Sequence, residues 1–224
     1  MNISSNNLPA RTIQDKSHAK AREDATILAD IYRDEVNIAV WQNSLPATLH
    51  QSAKSLVAEA NAMKAVMTVT PQNVVSCLFE HSGYLASHKE LCQHIGLLVD
   101  MFCTLFELKR VGLRLTKLDH AMCPKFHVDR IPCRLITTFA GVATQWLPND
   151  LVNRDKLGLG SLGLPDESSG IMRSPTDIQQ LQTGDVALLK GEGWYNNEGG
   201  GLVHRSPTLT GNQQRLVLTL DFID

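Results

Sequence analysis

The sequence predicts an α+β domain, and three observations carry that prediction. Apolar residues recur at helical spacing between Leu49 and Leu105. Short β-like runs separated by Gly, Pro and Asn follow from residue 111. The two kinds of segment do not interleave as βαβ units would. The 224 residues suit one large domain with a modest extension. Residues 1–24 are polar and read as a flexible leader. Residues 25–224 read as a single domain, with 25–110 mainly a helical layer and 111–224 a β-barrel core.

Taken in order, Val36, Ile38 and Val40 alternate with Asn37, Ala39 and Trp41, as a short strand does. Leu49, Ala53, Leu56, Ala60 and Met63 then form one stripe of an amphipathic helix. A second helix opens after Thr70-Pro71 and carries Val74, Val75, Leu78 and Phe79. Ser87 and Glu90 have capping-box spacing for a third, whose stripe is Leu91, Ile95, Leu98, Phe102 and Leu105. Strands are expected at 111–118, 125–129, 134–140, 184–190, 201–205 and 214–222, and 191–201 reads as a mobile Gly-rich loop. Gly158, Gly160 and Gly163 spell G-x-G-x-x-G. Pro165 follows too closely for the helix that dinucleotide binding requires, so the run reads as a loop.

Composition narrows the function. With 21 Lys and Arg against 23 Asp and Glu there is no basic surplus, so nucleic acid is not an expected partner. No apolar run approaches the roughly 18 residues of a membrane span, and the N-terminus lacks the pattern of a secretory signal. Five cysteines cannot all pair within one chain, which favours reduced thiols and a cytoplasmic location.

The chemistry concentrates in Cys123-Pro-Lys-Phe-His127-Val-Asp129. On a strand, His127 and Asp129 share a face, and His204 on a later β run supplies a third ligand. Two imidazoles and one carboxylate on one side of an ion form a facial triad with open positions. Arg215 opens the final run opposite the face of Leu216, Leu218 and Leu220. If those leucines pack under the helices, its guanidinium points into the mouth and can fork onto a carboxylate. Trp146 and Trp194 flank that mouth in sequence. Of Thr137 and Thr138, only one faces inward.

This ordered set resembles the signature of Fe(II)/2-oxoglutarate oxygenases, with support from Arg134–Gly141 and Thr183–Lys190. The resemblance implies a double-stranded β-helix, a jelly-roll or cupin-like barrel, with N-terminal helices packed on it. It implies Fe(II) on His127, Asp129 and His204, and 2-oxoglutarate on Arg215 with Thr138. The substrate would be a small molecule or a protein side chain. From about residue 30 onward the chain also resembles a bacterial domain-of-unknown-function family, through Cys-Pro-Lys-Phe-His-Val-Asp, Lys-Gly-Glu-Gly-Trp and Leu-Val-His-Arg-Ser-Pro. Genes of that family often lie near zinc-transfer GTPase genes, which implies a zinc-homeostasis pathway as partner.

Other readings stay open on the residues. His127 can be a core histidine with Asp129 a turn carboxylate, His204 can cap a loop end, and Arg215 can pair with Asp221 or Glu198. His120, Cys123, His127 and Cys133 offer a zinc set, which makes a non-catalytic Zn(II)-binding protein the main alternative. A metal-dependent hydrolase or lyase of cupin type is a third. Cys92 and His94, two apart on a helix, do not face each other and read as packing residues.

Overall fold

The computed structural model describes residues 18–42 and 45–223. Its strands are β1 (Ala19–Arg22), β2 (Ile38–Trp41), β3 (Lys64–Val69), β4 (Val111–Leu118), β5 (Cys133–Ala140), β6 (Gln145–Leu147), β7 (Gln179–Gln180), β8 (Val186–Lys190), β9 (Val203–Arg205) and β10 (Arg215–Asp221). Helices α1 (Ala47–Glu59), α2 (Val74–His81), α3 (Gly83–Ser87) and α4 (Lys89–Leu105) fall between β2 and β4. Seven strands form one sheet in the order β1-β2-β8-β5-β10-β4-β3, and β7-β6-β9 form a second. Every pairing is antiparallel except β1 with β2. No helix among the described residues is long and apolar enough to cross a membrane.

Period-two patterning divides the large sheet. Leu216, Leu218 and Leu220 of β10 join Leu113 and Leu115 of β4, Leu56 of α1, Leu78 of α2, and Ile95, Leu98 and Phe102 of α4 in one buried apolar cluster. Each such side chain contributes about 1.5–3 kcal/mol by leaving water. The residues between them, Arg215, Val217 and Thr219, line a pocket on the opposite face. The strand periodicity therefore aims Arg215 away from the leucine core.

Several elements differ from the sequence expectation. Of the expected leader, residues 1–17 lie outside the described residues, while Ala19–Arg22 pairs in parallel with β2. Helix α1 stops at Glu59, and Met63 is buried just ahead of β3 rather than on the helical stripe. The unforeseen β3 alternates in exposure, with Ala65 and Val69 buried beside exposed Val66 and Thr68. Met63 fitted the helical spacing by chance and masked it. The Ser87–Glu90 capping box does not form. Ser87 Oγ donates to Gly83 O at 3.1 Å, and Ser82 caps the preceding α3. Residues 125–129 make a single bridge instead of a strand, since the Phe126 N–H donates to the Asp166 carboxylate at 2.9 Å. The G-x-G-x-x-G run is a 3-10 turn over Gly158–Ser161, ended by Leu162 in the left-handed region.

Candidate metal centre

His127 and His204 meet because their backbones form one antiparallel bridge, each N–H donating to the other's carbonyl at 3.0 Å. That bridge hangs His127 on β9 of the small sheet, with ring centroids 4.5 Å apart. The segment 129–132 is fixed from the other side. Glu192 N–H donates to Asp129 O at 2.8 Å and Gly191 N–H to Pro132 O at 2.9 Å. A Cβ at Gly191 would stand 2.1 Å from Ile131 O, so only glycine permits this approach. The loop expected to be mobile is cross-braced. The Glu192 carboxylate accepts from Gly199 and Gly201 N–H, and Arg154 donates to Gly201 O at 2.6 Å.

The side chains of His127, Asp129 and His204 converge, their ligand atoms all within 4.8 Å of one another. His127 Nε2 lies 3.9 Å from Asp129 Oδ1, and His204 Nε2 lies 3.5 Å from Oδ2. Both Nδ1 atoms face carbonyls, Lys125 O at 3.0 Å and Leu202 O at 3.1 Å. A carbonyl only accepts, so each Nδ1 carries a proton and each Nε2 is turned toward Asp129. Burial pushes the His204 imidazole down to about 4, against the pull of Asp129, which leaves it neutral near neutrality. Two imidazoles, each oriented through Nδ1, beside a carboxylate form a donor set that fits a divalent ion.

Arg134, which sequence reasoning passed over as a metal-site residue, lies at the centre of the acidic partners. Its Nη1 stands 2.8 Å from Asp129 Oδ2, off the line of a hydrogen bond, so that buried oxygen accepts none among the described residues. Its other nitrogens fork onto Asp221 at 2.7 and 3.0 Å. A guanidinium near the start of a central strand, ahead of Leu135 and Ile136, was the signal available in the sequence.

Arg215 is 1% exposed and has no carboxylate partner among the described residues. Its Nη2 donates to Thr144 Oγ1 at 3.3 Å and approaches Thr138 Oγ1 at 3.5 Å, while Nε has no partner. Burial lowers its pKa to about 10, so it stays cationic near neutrality. The alternative ion pair with Asp221 does not form, since Arg215 and Asp221 are the opposite ends of β10, and Asp221 accepts from Arg134 instead. Thr138 shares the face of Arg215, whereas Thr137 pairs with Leu218 on the leucine side. Thr144 had no sequence signal, lying in a loop before β6.

The zinc set does not assemble. Among the described residues, His127, Asp129 and His204 are the one metal-compatible group of three. Cys133 is buried in the helical core, which pushes its thiol up, and His120 is exposed beside Asp119. Cys123 is exposed, though it borders the pocket. Trp146 pairs with His204 across β6 and β9, but Trp194 packs on Tyr32 and Phe106 with the helical core, away from the mouth. Cys92 and His94 pack, the thiol donating to Leu85 O and the imidazole meeting the Phe139 ring edge-on.

Among solved structures, the chain is similar to a rice dioxygenase for auxin oxidation, at 9% identity and a TM-score of 0.49, covering 92% of this chain and 82% of that one. It is similar to AviO1 from Streptomyces viridochromogenes Tue57 at 14% identity and a TM-score of 0.44, covering 88% and 94%. A Pseudomonas putida prolyl-4-hydroxylase aligns at 12% identity and a TM-score of 0.42, covering 88% and 97%. No curated protein matches the chain. The family model described as "Protein of unknown function (DUF1826)" matches residues 22–221, almost the whole chain, and the chain belongs to that family.

Proposed function

We propose that the protein is a non-haem Fe(II), 2-oxoglutarate-dependent oxygenase, its two sheets forming a double-stranded β-helix. The observation that carries this is the convergence of His127, Asp129 and His204 at the edge of a pocket that His127 and His204 line together with a buried, carboxylate-free Arg215. A ferrous ion with 2-oxoglutarate supplies the oxidising chemistry when bound.

The residues' parts follow from their surroundings. His127, Asp129 and His204 hold the ion, each imidazole oriented by its Nδ1–H on a backbone carbonyl. Arg134, clamped by Asp221, holds the Asp129 carboxylate in place. Arg215 anchors the distal carboxylate of 2-oxoglutarate, with Thr138 and Thr144 steering its guanidinium. A buried guanidinium with an orphan Nε has lost its water without gaining an anion, and an incoming carboxylate supplies that missing partner. The apolar walls Leu118, Ile136 and Val217 keep water from the anchored chain.

Anaerobic titration tests the reading. The parent protein should bind one equivalent of Fe(II), and 2-oxoglutarate should then raise a weak visible charge-transfer band. His127→Ala should lose stoichiometric binding and keep its circular dichroism. Equal Fe(II) binding by parent and variant, or an iron-loaded parent that shows no band, would overturn it.

A further inference from the structure

We infer that Arg114 anchors an anionic group, a carboxylate or phosphate, on the molecule this site oxidises. This rests on the oxygenase reading above and extends it to the class of substrate. The pairing register lays out the pocket face of the large sheet in rows. Arg134, Asp221 and Gly112 form the row nearest Asp129, and Ile136, Thr219 and Arg114 form the next. Thr138, Val217 and Thr116 follow, and Arg215 stands beyond them, opposite Leu118. Arg114 therefore lies one row from the metal end. It sits two strands to the side of β5, about 10 Å away at 4.8 Å per strand. A small molecule held there by its charged end reaches the open side of the centre. The line from Arg215 to the metal stays free for 2-oxoglutarate.

Charge accounting leads to the same place. Four guanidiniums line the pocket, and none of its lining residues is an Asp or Glu. Arg134 is answered by Asp129 and Asp221, and Arg205 by Asp166 and Glu167. Arg215 is reserved for 2-oxoglutarate. The Arg114 side chain is exposed and makes no ion pair or hydrogen bond among the described residues. Beside it, at the next position on the same face, Thr116 is 7% exposed and its buried Oγ1 has no partner. Buried hydroxyls are seldom left unpaired, and a ligand oxygen between Arg114 and Thr116 would satisfy both.

The test follows the Arg114 Nε–H signal by ¹⁵N NMR in protein saturated with diamagnetic Zn(II) and 2-oxoglutarate, titrating butyrate in one arm and inorganic phosphate in the other. A saturable shift with at least one probe is expected. Arg114→Gln should weaken that probe at least tenfold, read by competition or calorimetry, while 2-oxoglutarate binding changes less than twofold. Arg114→Lys should recover part of the loss, and Thr116→Val should weaken the probe about tenfold, as loss of one hydrogen bond to a charged group does. Absence of any saturable shift, or equal probe affinity in parent and Arg114→Gln, would overturn the assignment. The same titration on protein without metal or 2-oxoglutarate separates the two readings. If 2-oxoglutarate fails to bind but the Arg114 response persists, the oxygenase reading falls and the anion site stands.

Discussion

The two faces of the large sheet obey opposite rules although the same strands make both. On the helical side, Leu216, Leu218 and Leu220 are fully buried among apolar neighbours, and as hydrocarbon they bring no polar group that needs a partner. On the pocket side, Arg134 and Arg215 are also withdrawn from water, and they are treated differently from one another. Arg134 meets two carboxylates, whereas Arg215 meets only two threonine hydroxyls. Burial of a guanidinium without an anion costs free energy that packing on the other face must offset. The contrast teaches that the leucines of one face serve the fold alone, whereas on the other face a buried cation lacks the anion that the proposed ligand would supply.

Two substitutions separate the faces most sharply. Leu218→Ala should cost about 2–5 kcal/mol, as deletion of a buried leucine side chain does. Urea unfolding would measure it, and metal affinity of the folded protein should not change. Arg215→Met should do the reverse. Its melting temperature should hold or rise, because an unpaired buried cation gives way to an apolar chain of similar reach. The affinity for 2-oxoglutarate should fall roughly 10–100-fold with the loss of a charge-assisted contact worth about 1.5–3 kcal/mol. An Arg215→Met protein that melts early yet still binds 2-oxoglutarate would erase the distinction between the faces.

The helical face was the legible one. Leucines at alternate positions of β10 and the Leu91–Phe102 stripe of α4 declare their buried sides by period alone. The His127, Asp129, His204 and Arg215 set was readable because each residue type is unusual in its setting. The i and i+2 spacing of His127 and Asp129 suggests a strand, whereas a single bridge at His127 does that work. What stayed hidden depends on contacts between distant segments. Asp221 holds Arg134 across β5 and β10, and Glu192 N–H holds Asp129 O from a loop that reads as slack. No local pattern encodes which of several carboxylates a given arginine will reach.

Asp221→Asn probes the balanced arginine. It removes the charge that locks Arg134 without touching the three candidate ligands, so its effect must travel through Arg134 to Asp129. Supporting residues of this kind typically change metal affinity about tenfold or more. Anaerobic Mn(II) titration should show a loss of about that size, and Arg134→Gln/Asp221→Asn should bind no worse than Arg134→Gln alone. Additive losses would mean that Asp221 acts by some route other than the guanidinium.

Cys123→Ser should have the smallest effect, and its smallness is informative. Cys123 borders the pocket on the same segment as His127, and a zinc site built on it would need Cys133 or His120 close by. Cys133 instead faces the leucine side of β5, where burial keeps its thiol protonated, and His120 points to solvent with Asp119. A lone exposed thiolate adds little to a centre whose donors are two imidazoles and a carboxylate. Competition titrations of parent and variant should therefore give Zn(II) and Mn(II) affinities within about twofold of each other. That margin is far below the change expected when one ligand of a tetrahedral site is lost. A drop in Zn(II) affinity alone would show that the pocket face recruits Cys123 as a fourth ligand, making the centre a zinc site that closes over one of its open positions.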